Sequence, residues 1–144
     1  MQYKLIDGVD KVTYALIFDS GDEVMDILKT FANEHSLKAS RITAIGAFSE
    51  AVLGYFDFSI KDYKKIPVNE QVEVVSLLGD IALYGDESKV HAHVVLGRSD
   101  GMAMGGHLLQ AIVHPTLEVI LTESPGYLQR RIDEATGLAL IDIS

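Results

Sequence analysis

Alternation of apolar and polar residues with a period of two runs through most of the chain and constrains its fold more than any other feature. Such alternation places successive side chains on opposite faces of a β-strand. The alternating segments are rich in β-branched and aromatic residues, and glycine, asparagine or aspartate turns separate them. They are KVTYALIF, SRITAIGAF, EAVLGYFDF, EQVEVVSLLG, DIALYG, KVHAHVVLG, GMAMGGHLL and TLEVILTE. With one helix, this pattern predicts an α+β domain whose largely antiparallel sheet is strongly curved or barrel-like.

The one convincing helix lies in SGDEVMDILKTFANEHS and should run over residues 21–35. Ser20 and Glu23 have the spacing of a capping box, in which each side chain bonds the other residue's backbone N–H. His35 falls in the last turn, where the helix dipole favours a cation, so a surface capping role is expected for it. The apolar face has the i, i+3, i+4, i+7 spacing, with Val24, Ile27, Leu28 and Phe31.

The composition is that of a globular protein. The 144 residues are 48% hydrophobic and 23% charged, no low-complexity linker interrupts them, and we expect a single domain over residues 1–144. The first residues, MQYKLIDGVD, mix charged and apolar side chains, and no apolar run approaches the roughly 20 residues of a membrane helix. A cytoplasmic location is therefore the default expectation. The absence of cysteine excludes disulfides, thiolate catalysis and cysteine-ligated zinc.

The net charge of −9 disfavours direct DNA binding, because the average field repels phosphate backbones. Three lysines between residues 61 and 65 are interrupted by Asp62, which indicates a solvated loop. Arg130 and Arg131 are followed by Asp133 and Glu134, which indicates a mixed surface helix or turn. Neither group has the pattern of a basic surface that binds nucleic acid.

Three of the five histidines lie within VHAHVVLGRSDGMAMGGHLL, residues 90–109. His91 and His93 are two apart on one strand and should share a face, with Cα atoms roughly 6.5–7 Å apart. RSDGM suits a three-residue hairpin loop over residues 99–101, with Gly101 in the left-handed conformation that such loops require. This register places His107 directly opposite His93, whereas a two-residue loop would send His107 to the other face.

Three neutral imidazoles would leave one position of a tetrahedral zinc open for water or a ligand. Nickel, iron or manganese could also accept these nitrogens. Gly105 and Gly106 add no side chains beside His107 and could leave room for a bound molecule. The alternative is that the imidazoles form hydrogen bonds within a polar patch or a subunit interface.

EVVSLLGDIAL, VHAHVVLGRSDGMAMGGHLL and TLEVIL together closely resemble the plants-and-prokaryotes conserved (PPC) domain, and ITAIGAFSEAVLGYFD is similar to that family's glycine-containing strand pair. The resemblance spans residues 3–143, and the H-x-H strand followed by G-G-H is its most specific part. It implies a compact α+β domain that assembles as a homotrimer. It also implies that His91, His93 and His107 correspond to histidines that carry metal in some members.

Prokaryotic members of the PPC family often bear a DNA-binding label by association with plant relatives. Those plant relatives carry a basic AT-hook with an arginine-glycine-arginine core that enters the minor groove, and residues 1–144 contain no such segment. The resemblance therefore supports the scaffold more strongly than the DNA-binding label.

Several further residues are candidates for the site. Glu73 alternates with valines and is the candidate for a catalytic general base, although an outward-facing strand position is the simpler interpretation. His114 is a candidate fourth site residue whose face the sequence leaves undetermined. Arg41 and Glu50 flank a turn region and could pair or bind an anion, but exposed strand-end charges are commoner.

Three function classes follow. The first is a metal-binding protein, with zinc the favoured cofactor, that also binds a small-molecule ligand and has a regulatory role. The second is a zinc-dependent hydrolase or lyase, in which the metal lowers the pKa of bound water. The third is a DNA-associated regulatory module that acts through partners. The sequence specifies neither a substrate nor whether the protein is an enzyme.

Overall fold

A computed structural model describes residues 1–7 and 11–143 of the chain, and the side chains of Met1 and of residues 11–143. This part of the chain forms nine strands and one α-helix. In chain order the elements are β1 Gln2–Asp7, β2 Val12–Asp19, α1 Val24–Glu34, β3 Ala39–Asp57, β4 Asp62–Val68, β5 Val72–Tyr84, β6 Glu87–Gly97, β7 Ala103–Glu123, β8 Gln129–Ile132 and β9 Ala139–Asp142. The predicted dominance of sheet with a single helix is confirmed.

The sheet closes on itself through four strands. β3 pairs with both β5 and β7, and β6 joins β5 to β7, so that these strands form a continuous circuit. β2 extends the sheet beyond β7, and β1 pairs with β2. All of these pairings are antiparallel, and a single parallel bridge links Leu83 of β5 to Gln129 of β8. The prediction of a largely antiparallel, barrel-like sheet is confirmed.

Three pairs of predicted short strands each form one long strand in the structure, so the predicted strand lengths are wrong. β3 contains two of the predicted strands, β5 contains two, and β7 contains most of another two. The pairing register shifts between Ala44 and Gly46 and again between Phe48 and Glu50, which marks β-bulges where turns were expected. A bulge bends a strand without ending it. Long, bent strands can therefore pair with different neighbours along their length, which closes the sheet.

The helix packs on β6 and β7 and buries Val24, Leu28 and Phe31 in the core. It begins three residues later than predicted, and the expected capping box is absent. Glu23 itself is the N-cap, since its carboxylate accepts a hydrogen bond of 2.6 Å from the backbone N–H of Asp26. The other carboxylate oxygen accepts from the backbone N–H of Ala111 at 3.0 Å, which ties the helix to β7.

Ser20 and His35 were both predicted to cap the helix, and only His35 does so. The Ser20 hydroxyl lies 3.2 Å from Nδ1 of His114 and donates to the carbonyl of Pro115. His35 is the C-cap residue, and its backbone N–H donates to the carbonyl of Phe31. The predicted capping position of His35 is thus confirmed, but its ring is half-buried and stacks on Phe31 instead of lying on the surface.

Two predictions about basic residues are corrected. Lys64 and Lys65 lie on β4 instead of in a loop, and Lys61 occupies the preceding turn. Arg130 and Arg131 lie on β8 instead of on a helix or turn, and Arg130 is buried. In the part of the chain that the structure describes, no helix is both long and apolar enough to cross a membrane.

Candidate metal centre

The hairpin between β6 and β7 sets which histidines can meet. The backbone N–H of Arg98 donates to the carbonyl of Met102 at 2.9 Å, and the N–H of Gly101 donates back to the carbonyl of Arg98. Gly101 has φ +81°, a left-handed conformation that glycine adopts without strain. The predicted three-residue loop is therefore present, and His93 pairs directly with His107.

The three histidines converge on the outer face of the sheet. Ala92 and Val94, which alternate with them along β6, point into the core. One candidate ligand nitrogen from each of His91, His93 and His107 lies within 4.8 Å of the other two. The Nε2 atoms of His91 and His93 are 3.2 Å apart. Nitrogens bound tetrahedrally to one zinc ion are about 3.3 Å apart, so this pair already has the required spacing.

His107 occupies the most enclosed position of the three. Its Nδ1 is buried and has no hydrogen-bond partner among the described residues. The ring of Tyr63, on β4, stacks on the imidazole with centroids 4.6 Å apart, which fixes the plane of the ring. Burial, with smaller contributions from the nearby His91, His93 and Lys89, lowers the pKa of His107 to about 4. A buried polar atom without a protein partner is typical of a site for water, an ion or a ligand.

The pKa of His93 is also lowered. Burial, followed by the influence of His91, lowers its pKa below the usual range, although Asp80 acts in the opposite direction. The lowered pKa values keep His93 and His107 uncharged near neutral pH. A neutral imidazole is the form that binds a metal ion.

Asp80 supports His91 from the neighbouring strand. The two residues are paired across β5 and β6, and Asp80 Oδ2 lies 3.5 Å from His91 Nδ1. The other carboxylate oxygen accepts a hydrogen bond from Nη2 of the buried Arg130, whose Nη1 donates to the carbonyl of Ala139 at 2.9 Å. Burial alone would raise the pKa of Asp80, but its bond to His91 and the charge of Arg130 hold that pKa below the usual range.

This chain of contacts matches the usual support of a metal-binding histidine. A carboxylate that bonds the second ring nitrogen fixes the orientation of the imidazole and increases its basicity. The contact through Nδ1 leaves Nε2 of His91 facing Nε2 of His93. The arrangement therefore brings the Nε2 atoms of His91 and His93 together, and one ring nitrogen of His107 lies within 4.8 Å of a candidate ligand nitrogen of each.

The two glycines before His107 have a different role from the one expected. A Cβ atom at Gly105 would lie 2.6 Å from the carbonyl oxygen of Val94, and one at Gly106 would lie 2.9 Å from that of Gly54. Glycine is thus required by the close approach of neighbouring backbones. Gly106 does line the cavity above the histidines, so the expectation of added room holds for that position alone.

The remaining candidates lie elsewhere. Glu73 pairs with Ala47 and Gly97. It lies five residues along β5 from Leu78, the partner of His93, which corresponds to a distance of roughly 16 Å along the strand. It lines a separate shallow groove. His114 contacts Ser20 and is not part of the histidine group. Arg41 and Glu50 are exposed on β3, as the simpler interpretation predicted, and the structure does not bring them together.

Sequence reasoning missed Asp80, Arg130 and Tyr63. A signal for Asp80 was present, because a two-residue turn at Gly85 and Asp86 pairs residue 80 with residue 91 by the same counting that paired the histidines. Arg130 had no local signal, since β8 reaches β5 from nearly fifty residues away. Tyr63 was hidden because β4 was interpreted as a loop.

Comparison with known proteins identifies the family of the chain. The model of the Plants and Prokaryotes Conserved (PCC) domain matches residues 7–125. The chain belongs to this family, as the resemblance in its sequence indicated. No curated protein sequence matches the chain significantly.

Among solved structures, a plant- and prokaryote-conserved protein of Pyrococcus horikoshii is 32% identical, with a TM-score of 0.85 over 98% of this chain and 94% of that one. A protein of Archaeoglobus fulgidus, described as metal-containing, is 34% identical, with a TM-score of 0.84 over 98% of both chains. A protein of Bacteroides thetaiotaomicron with a provisional DNA-binding name is 28% identical, with a TM-score of 0.87 over 97% of this chain and 96% of that one.

Proposed function

We propose that this chain binds one transition-metal ion, preferentially zinc, through His91, His93 and His107, and that the ion holds a small ligand at its open position. The convergence of three imidazoles on one point carries the proposal. The Nε2 spacing of His91 and His93 fits an ion in that place, and Nδ1 of His107 is a buried polar atom that has no hydrogen-bond partner among the described residues. The description of the similar Archaeoglobus protein as metal-containing supports the presence of a metal ion in this chain.

A binding role is favoured over hydrolysis. The bound ion would supply an electrophilic position, and a hydrolase would also need a general base beside it. The cavity above the histidines is lined by no carboxylate in the described part of the chain, and the open groove beside His91 and His93 is lined by one, Asp80. Asp80 contacts Nδ1 of His91 and Arg130, so both of its oxygens already have partners.

Assembly as a homotrimer is part of the proposal. Several large apolar side chains remain exposed on the outer face of the sheet, including Ile45, Val75 and Leu78, each at 57–60% exposure. Exposed apolar patches of this kind are usually covered by another chain, and closed symmetry is the usual outcome. Light scattering should give the mass of three 15.8 kDa chains. A stable monomer at micromolar concentration would contradict this.

Direct DNA binding is not part of the proposed function. The net charge of −9 disfavours it, and a role in regulation would act through the metal-bound ligand or through protein partners in the cytoplasm.

Titration with Co(II) tests the metal site, because four-coordinate Co(II) absorbs visible light much more strongly than aqueous Co(II). We expect one Co(II) per chain in the wild-type protein and loss of the absorption in His91→Ala, His93→Ala and His107→Ala. His114→Ala is the matched control and should bind normally. Equal binding by the wild-type protein and all three site variants would reject the assignment.

A further inference from the structure

A cavity of about 460 Å³ lies directly above the three histidines. Its size is within the range of small-molecule sites, roughly 300–1,000 Å³. One wall comes from the hairpin of β3 and β4 and the other from β8 and β9, so the histidines form the base between two hairpins. The hairpin residues that line it are mostly aromatic or aliphatic, namely Tyr55, Phe56, Phe58, Tyr63, Leu138 and Leu140.

The walls leave large apolar surfaces open to the cavity. Phe58 is 71% exposed and Leu140 is 45% exposed, although both line this space. Phe56 contacts Phe58 and Tyr63 edge to face, with centroids 5.2 Å apart in each pair. This aromatic cluster offers ring faces and edges to a flat apolar molecule, and such contacts add to the gain from burying area.

The charges around the cavity favour an anion next to the histidines. A divalent ion held by three neutral imidazoles keeps its full charge of about +2. Lys89 lines the cavity and adds a further positive charge. Asp80, the carboxylate that contacts His91 in the described part of the chain, is neutralised by its ion pair with Arg130. The negative charge of the whole chain is screened beyond roughly 8–10 Å, so these local charges decide which head group binds.

We propose that the ligand of this site is a small organic acid, with its carboxylate at the metal ion and Lys89, and with an apolar, aromatic body against Phe58, Tyr63 and Leu140. The inference rests on the proposed metal site and specifies the class of molecule that the site takes. The carboxylate occupies the open coordination position, and the ring fills the space between the two hairpins.

Binding of three probes to Co(II)-loaded protein tests this inference. The probes are 2-naphthoate, acetate and 2-naphthylmethylammonium, followed by calorimetry and by the Co(II) absorption spectrum. We expect 2-naphthoate to bind at least about tenfold more tightly than acetate, since roughly 60 Å² of additional buried apolar surface is enough for that difference. Both acids should change the Co(II) spectrum, and the ammonium compound should bind at least about tenfold more weakly than 2-naphthoate.

Two variants in one turn test whether the cavity wall itself causes the preference for an aromatic acid. Phe58→Ser should remove most of the preference for 2-naphthoate over acetate while leaving the Co(II) stoichiometry and acetate affinity unchanged. Ile60→Ser is the matched control, because Ile60 is 66% exposed on the same turn but does not line the cavity. It should keep the full preference.

The possible outcomes test the metal site and the class of ligand separately. Absence of Co(II) binding would overturn the proposed function and this inference together. Normal Co(II) binding with equal affinities for the two acids would overturn only the apolar body. Equal affinities for the acid and the ammonium compound, or an unchanged Co(II) spectrum, would overturn only the carboxylate at the metal.

Discussion

His93 and His107 face each other directly across β6 and β7, with ring centroids 5.5 Å apart. Nothing in the immediate sequence of either residue requires this. The relationship is set by the three-residue loop that joins the strands, because a loop shorter by one residue would place His107 on the opposite face. The convergence of the histidines therefore depends on the loop at residues 99–101, which lies several residues away from each of them.

Gly101→Ala should destabilise the protein by about 1 kcal/mol, because residue 101 has φ +81° and an alanine there is strained. Urea unfolding of the metal-free protein measures the change. Gly126→Ala is the control, since an added Cβ at that position meets nothing within 4 Å and the backbone is not left-handed. Equal effects of the two substitutions would contradict a strained loop at Gly101.

The sequence was sufficient to predict that the three histidines share one face of the sheet, because their spacing and the type of the connecting loop are both local features. It failed for the lengths of β3, β5 and β7, since a glycine or aspartate marks a bulge as readily as a turn. It also failed for Arg130, which reaches Asp80 only after a strand late in the chain folds back onto β5. Contacts of this kind depend on tertiary packing and leave no short-range pattern.

Asp80→Asn should weaken metal binding by about 10- to 100-fold, because the carboxylate orients His91 and increases its basicity. It should also lower the free energy of unfolding, since the buried Arg130 would lose its counter-charge. Competition with a chelator measures the metal affinity. Asp86→Asn, in the exposed turn of the same hairpin, should change neither quantity. An unaltered affinity in Asp80→Asn would show that His91 does not depend on this contact.

The metal-free protein should lose stability as the pH falls from about 6.5 to about 4. The pKa of His107 is lowered from 6.5 to about 4 in the fold, so below pH 6.5 the unfolded chain binds a proton that the folded chain does not. The loss should be on the order of 1–2 kcal/mol, less than the full shift implies because the ring is partly exposed.

Urea unfolding at several pH values, comparing wild type with His107→Phe, measures this contribution. The variant keeps an aromatic ring beside Tyr63 and should show a smaller decline over the same range. His114→Gln is the control and should decline as the wild type does. A decline of equal size in His107→Phe would assign the pH dependence to other groups.

The isolated chain should not bind duplex DNA appreciably at physiological salt, because acidic side chains exceed basic ones by nine. Fluorescent duplex titrated with protein at two salt concentrations measures this. Submicromolar affinity that weakens steeply as salt is added would reveal a local basic surface and make DNA the favoured partner.

The position of the metal ion is the central claim, and anomalous diffraction at the zinc edge measures it directly. Crystals of zinc-loaded protein should give one strong peak per chain, about 2.0–2.1 Å from one nitrogen each of His91, His93 and His107. A peak at any other group of side chains, or a His107 ring turned away from the ion, would contradict the account.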